Sequence, residues 1–159
     1  KAAAIIEGSK VFSKNLMKKY SIPTAEYEVF DNKDDALAYL DTAPIPTVIK
    51  ADGLALGKGV IIAETREDAK NAVISMMEDK VFGESGNNIV IEEFLDGFEC
   101  SLLCFTDGNT IVPMVSAKDH KQIFDGNKGP NTGGMGTASP NPFITEEITL
   151  RSRDSADSS

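Results

Sequence analysis

At 159 residues, with 41% hydrophobic and 26% charged side chains, the chain has the balance of a soluble globular protein of one ordinary domain or two small lobes. A formal charge of −9 argues against general nucleic-acid binding, which needs a basic footprint, but leaves room for a local basic pocket around one small phosphate. No run approaches the ~20 apolar residues of a membrane span, and residues 1–7 are too short and too soon followed by charge to read as a signal peptide.

In chain order, residues 8–20 have helical spacing, with Phe12, Leu16 and Tyr20 on one side. Pro23 stops that helix near Ser21, because the residue before a proline avoids helical geometry. Glu26 to Phe30 is a strand candidate. Asp31 is placed to cap a helix running to about Leu40, with Asp34 at the capping-box position. Pro44 and Pro46 bracket a turn, and Thr47 to Ile49 reads as a buried strand. The glycine-rich stretch from Asp52 to Gly59 runs straight into β-branched Val60 to Ala63, so the order is strand, glycine loop, strand.

Thr65 with Asp68 opens the best-defined helix, whose apolar stripe is Ala69, Ala72, Val73, Met76 and Met77. Residues 83–88 read as a loop, and Ile89 to Phe94 as a strand. Phe98 to Phe105 is a further strand, with a hairpin turn at Asp107-Gly108 and a return over Thr110 to Val115. Cys100 and Cys104 would then share a face about 13 Å apart, too far to bridge, and read as reduced core residues of a cytoplasmic protein. Ser116 to Pro142 lacks periodicity and is rich in Gly, Asn, Pro and Lys, so a long functional loop is expected. Both ends read as cut. The chain begins within a helix, and residues 149–159 form a polar tail with nothing to bury, expected to be disordered.

Three groups of residues carry chemistry. Gly53, Gly57, Lys58 and Gly59 could let backbone N–H groups and one point charge approach a polyphosphate, or could form a merely flexible hairpin loop. A P-loop does not fit, because only three residues separate Gly53 from Gly57 and Gly59 stands where Ser or Thr would hold magnesium. Lys50, ending an apolar strand, needs an anionic partner if buried, for which a phosphate would serve; at an exposed strand end it needs none. Glu92 and Glu93 face opposite sides of a strand, so at most one points into a given cleft. Most specific is Asp119-His120-Lys121 followed by Lys128 to Gly136, where Gly133, Gly134 and Gly136 beside Asn131 and Thr132 offer backbone donors to anionic oxygens. His120, the only histidine, has no His or Cys nearby, so no zinc site is expected.

Taken in order, Ile22 to Ala25, Val48 to Gly59, Ile89 to Gly97, Asp119 to Lys121 and Gly129 to Gly136 resemble the motifs of phosphoribosylamine–glycine ligases over about residues 2–148. The resemblance implies an α+β ATP-grasp fold, in which two lobes of antiparallel sheet with helices trap ATP, the second lobe being incomplete here. Residues 1–21 would lead into the domain as a helix, 22–94 would form the smaller lobe, and 95–148 the first part of the larger one. It further implies that Lys10 and Lys50 hold ATP phosphates under a loop with Gly57, Lys58 and Gly59. Glu92, Glu93, Phe94 and Leu95 would line the adenine pocket, and Glu99 would bind ribose. Lys121 and Asn131 would be catalytic, with Asp119, Gly133, Gly134 and Gly136 toward the transferring phosphate and second substrate.

The implied reaction joins glycine to phosphoribosylamine through a glycyl phosphate, with ATP and Mg2+, and the Mg2+ ligands are expected outside this chain. Phosphoryl transfer of this kind needs positioning and charge neutralisation rather than a protein nucleophile. Gln122 stands where the family often has arginine and cannot supply a cation. With N- and C-terminal parts of the enzyme missing, the chain alone is expected to bind nucleotide poorly and not turn over. The competing readings are another ATP-grasp carboxylate–amine ligase, or a non-catalytic domain that keeps the fold.

Overall fold

The computed structural model describes residues 2–55, 59–126, 128–145 and 147–148. The chain falls into two units, Lys1–Leu95 and Asp96–Ser159. The tail expected over 149–159 lies outside the described residues.

The first unit opens with a 3-10 turn, Ala2–Ala4, and two helices, α1 (Ile5–Gly8) and α2 (Lys10–Lys19). Ser9 separates them, and its side chain accepts from the Phe12 amide as the N-cap of α2. The buried residue of α2 is not on the expected apolar stripe. Phe12 and Tyr20 are exposed, and Lys14 is the side chain turned inward. Strand β1 (Tyr27–Phe30) leads to α3 (Lys33–Leu40), capped by Asn32 rather than Asp31, since the Asn32 side chain accepts from the Asp34 and Asp35 amides. Strands β2 (Thr47–Ala51) and β3 (Val60–Ala63) flank the glycine loop, and α4 (Arg66–Met77) follows with Thr65 accepting from the Asp68 amide. Residues Gly83–Gly86 form a 3-10 turn within the expected loop, before β4 (Ile89–Glu93).

The four strands make an antiparallel sheet in the order β1-β4-β2-β3. Alternation along β2 and β4 decides which face each side chain joins. Ile49, Ala51, Ile89 and Ile91 pack with Ala36 and Leu40 of α3 and Ala69, Ala72, Val73 and Met76 of α4 in one buried cluster. Val48, Lys50, Val90 and Glu92 therefore face the other side, the side of α2.

The second unit is built differently. Strands β5 (Cys104–Thr106) and β6 (Ile111–Pro113) form a short hairpin. Asp107 closes its turn by accepting from the Asn109 and Thr110 amides. The strand expected over 98–105 is confined to its last two residues and Thr106, with an isolated bridge from Ser101 to Ala117. Cys100 and Cys104 are both free and exposed, not core residues, with no apolar layer over them among the described residues.

The expected loop over 116–142 is largely a second hairpin, β7 (Lys118–Phe124) with β8 (Lys128–Ala138). Its glycines offer no side-chain alternation to read, yet Gly136 pairs with His120. Between His120↔Gly136 and Gln122↔Asn131, two steps along β7 are answered by five along β8, so the Gly133-Gly134 segment bulges from the ladder. Thr132 pins the bulge, donating to the Lys121 carbonyl at 2.8 Å while accepting from the Gly134 amide at 3.1 Å.

Candidate nucleotide-phosphate site

A cavity of about 420 Å³ opens in the first unit between α2 and the face of the sheet opposite α3 and α4, lined among others by Lys10, Lys14, Lys50, Gly53, Val60 and Glu92. Lys50 and Glu92 are diagonal neighbours: the register pairs Lys50 with Val90 and Val48 with Glu92. Lys50 Nζ donates to Glu92 Oε2 at 2.9 Å. Lys14 reaches the same oxygen from α2 at 3.2 Å. Glu92 is only 5% exposed, so two ammonium groups neutralise a carboxylate that would be costly to bury alone. The partner of Lys50 in this structure is thus a protein carboxylate, where the sequence suggested a phosphate or solvent.

Lys10 closes one end of the cavity, donating from Nζ to the Gly53 carbonyl at 2.6 Å. Burial holds its pKa below the ordinary lysine value of 10.5; the Asp52 carboxylate pulls it back up and the Lys50 charge presses it further down. Asp52 also accepts from the Ser9 hydroxyl at 3.1 Å and the Val11 amide at 3.2 Å. The start of α2 is thereby tied to the base of the glycine loop. Gly53 has a φ of +105°, where a side chain is strained, and an added Cβ would lie 2.7 Å from Ser85 Oγ, which would have to turn away. Gly59 is buried, and Gly57 and Lys58 lie outside the described residues. Three lysines against Glu92 and Glu7 give this cavity walls suited to a polyanion.

The other expected site residues divide between the units. Glu93, at the end of β4, accepts from the Glu26 amide at 3.0 Å. Phe94 and Leu95 are exposed. In the second unit, Lys121 donates to Glu99, so the two expected ligand contacts satisfy one another. Asp119 stands 3.9 Å from the Lys121 ammonium, and its Oδ1 lies 3.3 Å from where a Cβ on Gly134 would sit. Gly133 and Gly136 have open space around them, and Asn131 is placed by its backbone pairing with Gln122. Sequence reading passed over Lys14, Ser9 and Asp52. The four-residue spacing of Lys10 and Lys14 on one helix face, with Ser9 just before, is the signal that could have found them.

Among the described residues no three His, Cys, Asp or Glu side chains gather as metal ligands. None of their helices is long and apolar enough to cross a membrane.

A model of the family described as phosphoribosylglycinamide synthetase, ATP-grasp (A) domain, matches residues 8–156. The chain is 58% identical over 148 residues to the phosphoribosylamine–glycine ligase of Clostridium acetobutylicum, covering 93% of this chain and 36% of that protein. It is 50% identical over 153 residues to the Yersinia pestis ligase, covering 96% and 36%. The crystal structure of the Thermotoga maritima phosphoribosylamine–glycine ligase superposes with a TM-score of 0.86 at 36% identity, covering 95% of this chain and 38% of that one. D-alanyl-alanine synthetase A from Vibrio cholerae shares the fold, with a TM-score of 0.70 at 15% identity, covering 98% and 47%. The chain therefore spans just over a third of the length of the curated relatives it matches. With the motifs in order and the lysine-lined cavity between α2 and the sheet, this chain belongs to the phosphoribosylglycinamide synthetase ATP-grasp (A) domain family.

Proposed function

We propose that this chain is the ATP-handling part of a longer cytoplasmic enzyme that joins glycine to 5-phosphoribosylamine, giving glycinamide ribonucleotide, ADP and phosphate in purine synthesis. The observation that carries the proposal is the cavity in which Lys10, Lys14 and Lys50 converge, in a chain 58% identical to a named ligase. In this reading the glycine carboxylate attacks the γ-phosphate, and the amine of phosphoribosylamine then displaces phosphate from the acyl phosphate. Both steps need charge neutralised and atoms held in line more than they need a protein nucleophile.

Lys10 and Lys50 take the phosphates, with Gly57, Lys58 and Gly59 of the loop over them. Glu92, Glu93, Phe94 and Leu95 form the adenine side, and Glu99 the ribose contact. Lys121 and Asn131 serve the reacting phosphoryl group, with Asp119, Gly133, Gly134 and Gly136 beside them. Magnesium is the metal the family implies; the described residues do not gather its ligands, and no step here is assigned to it. The remaining parts of the enzyme would complete the substrate sites, and the chain alone would not turn over.

Titrating the full-length protein with ATP, with and without glycine, tests the reading. Glycine-dependent ADP release that disappears in Lys50→Met is expected. Nucleotide binding indifferent to both Lys10→Met and Lys50→Met would sink the assignment. Formation of glycinamide ribonucleotide by the 159-residue polypeptide alone would refute its predicted inactivity.

A further inference from the structure

Lys14 is the least exposed of the three lysines at the cavity wall, and it is held from several sides. Its Nζ lies 2.7 Å from Thr24 Oγ1, 3.1 Å from the Ala25 carbonyl and 3.2 Å from Glu92 Oε2. Two of its three N–H donors are used by Thr24 and Ala25, and its charge lies in ion-pair contact with Glu92. The Tyr27 ring, 5.2 Å from Nζ to its centroid, closes it in further. Lys50 differs. Its side chain is 27% exposed, and among the described residues its hydrogen bond is the one to Glu92.

Glu92 thus has two counter-ions on one oxygen, Lys14 buried and tied to Thr24 and Ala25, and Lys50 partly exposed with no other hydrogen bond among the described residues. If Lys50 leaves Glu92 for a phosphate, the carboxylate at 5% exposure still needs a cation, and Lys14 is already in place. We propose that Lys14 is a positioning residue: it is the standing counter-ion of Glu92, and by holding that charge it frees Lys50 to engage polyphosphate. This inference rests on the phosphate reading of the cavity. Lys14 does not touch the nucleotide and acts through Glu92 alone.

A double-mutant cycle on the full-length protein, read as the Kd for ATP with magnesium, tests it. Lys14→Met should weaken binding on the order of tenfold, because Lys50 becomes the sole partner of a buried carboxylate. In a Glu92→Gln background, the same Lys14→Met change should alter Kd less than about twofold, since no charge is left to balance. Lys14→Arg should recover part of the loss. Equal weakening in both backgrounds would overturn the proposal, making Lys14 a packing residue. So would an unchanged Kd in Lys14→Met when Lys50→Met weakens binding, an outcome that leaves the proposed function standing. If neither lysine matters, the phosphate reading and the inference fail together. Should Lys14→Met not fold, recovery of folding in Lys14→Met/Glu92→Gln supports the counter-ion role, and its absence overturns it.

Discussion

The two units reach order by different means. In the first, Leu40, Ile49, Val73, Met76 and Ile89 are wholly buried between a four-stranded sheet and two helices. In the second, the fully described buried residues are Ser116 and Asn141, both polar, while Phe98, Leu103, Phe105, Phe124 and Met135 are exposed. Among the described residues of the second unit, the buried residues are held by hydrogen bonds. Asn141 donates from Nδ2 to the Glu99 carbonyl at 3.3 Å and accepts from the Phe143 amide at 3.0 Å. The Ser139 hydroxyl meets the Ser116 carbonyl at 3.0 Å. A layered core fixes side chains in three dimensions, whereas a polar knot with paired backbone fixes mainly the course of the chain.

The sharpest way to break this contrast is core truncation. Ile49→Ala should cost about 2–5 kcal/mol, and Phe105→Ala no more than about 0.5, by denaturant unfolding. Comparable losses would mean that the second unit has a hidden core. Adding a methyl group should come next. A Cβ at Gly86 falls onto the Met76 carbonyl oxygen at the end of α4, so Gly86→Ala is expected to cost about 1–3 kcal/mol. Gly133→Ala, with nothing within 4 Å, should change stability by less than about 0.5 kcal/mol. Asn141→Ala should be smaller than the core truncation, at about 1 kcal/mol, because it removes two part-buried hydrogen bonds, to the Glu99 carbonyl and from the Phe143 amide. Hydrogen exchange at Phe143 would report it directly.

The mildest expected effect is a slope. The Lys10 pKa lies below 10.5 because of burial, and bound polyphosphate favours its charged form. Nucleotide affinity should therefore be complete while Lys10 is protonated. It should decline as pH rises through the lowered value, before an ordinary lysine would titrate. Lys10→Met should flatten this dependence; its persistence would place the titrating group elsewhere.

Local signals carried the first unit well. The Thr65 cap with the stripe Ala69, Ala72, Val73 and Met76 is a helix in any context, and β-branched Val60 to Ile62 after the glycines could only continue as a strand. The site was less legible, for two reasons. Lys50 and Glu92 become neighbours only through the β2–β4 register, which no local window contains. Helical periodicity favours Phe12 over Lys14 as the inward residue, whereas a buried carboxylate on the facing strand reverses that order. The β7–β8 hairpin was missed because Gly133, Gly134 and Gly136 erase the period-two pattern that marks a strand. Conversely, the strand expected over Phe98 to Phe105 forms ladder only at its end.

The carboxylate of Asp52 has one further implication. It joins Ser9 and Val11 across 43 and 41 residues of chain, just where β2 ends. Shifting β2 by a single residue would turn Asp52 to the opposite side of the strand and uncouple the helix that presents Lys10. The spacing between Ala51 and Asp52 is therefore a gauge for a distant part of the molecule. A one-residue insertion there should be felt first as fraying at the beginning of α2, before the sheet itself loosens.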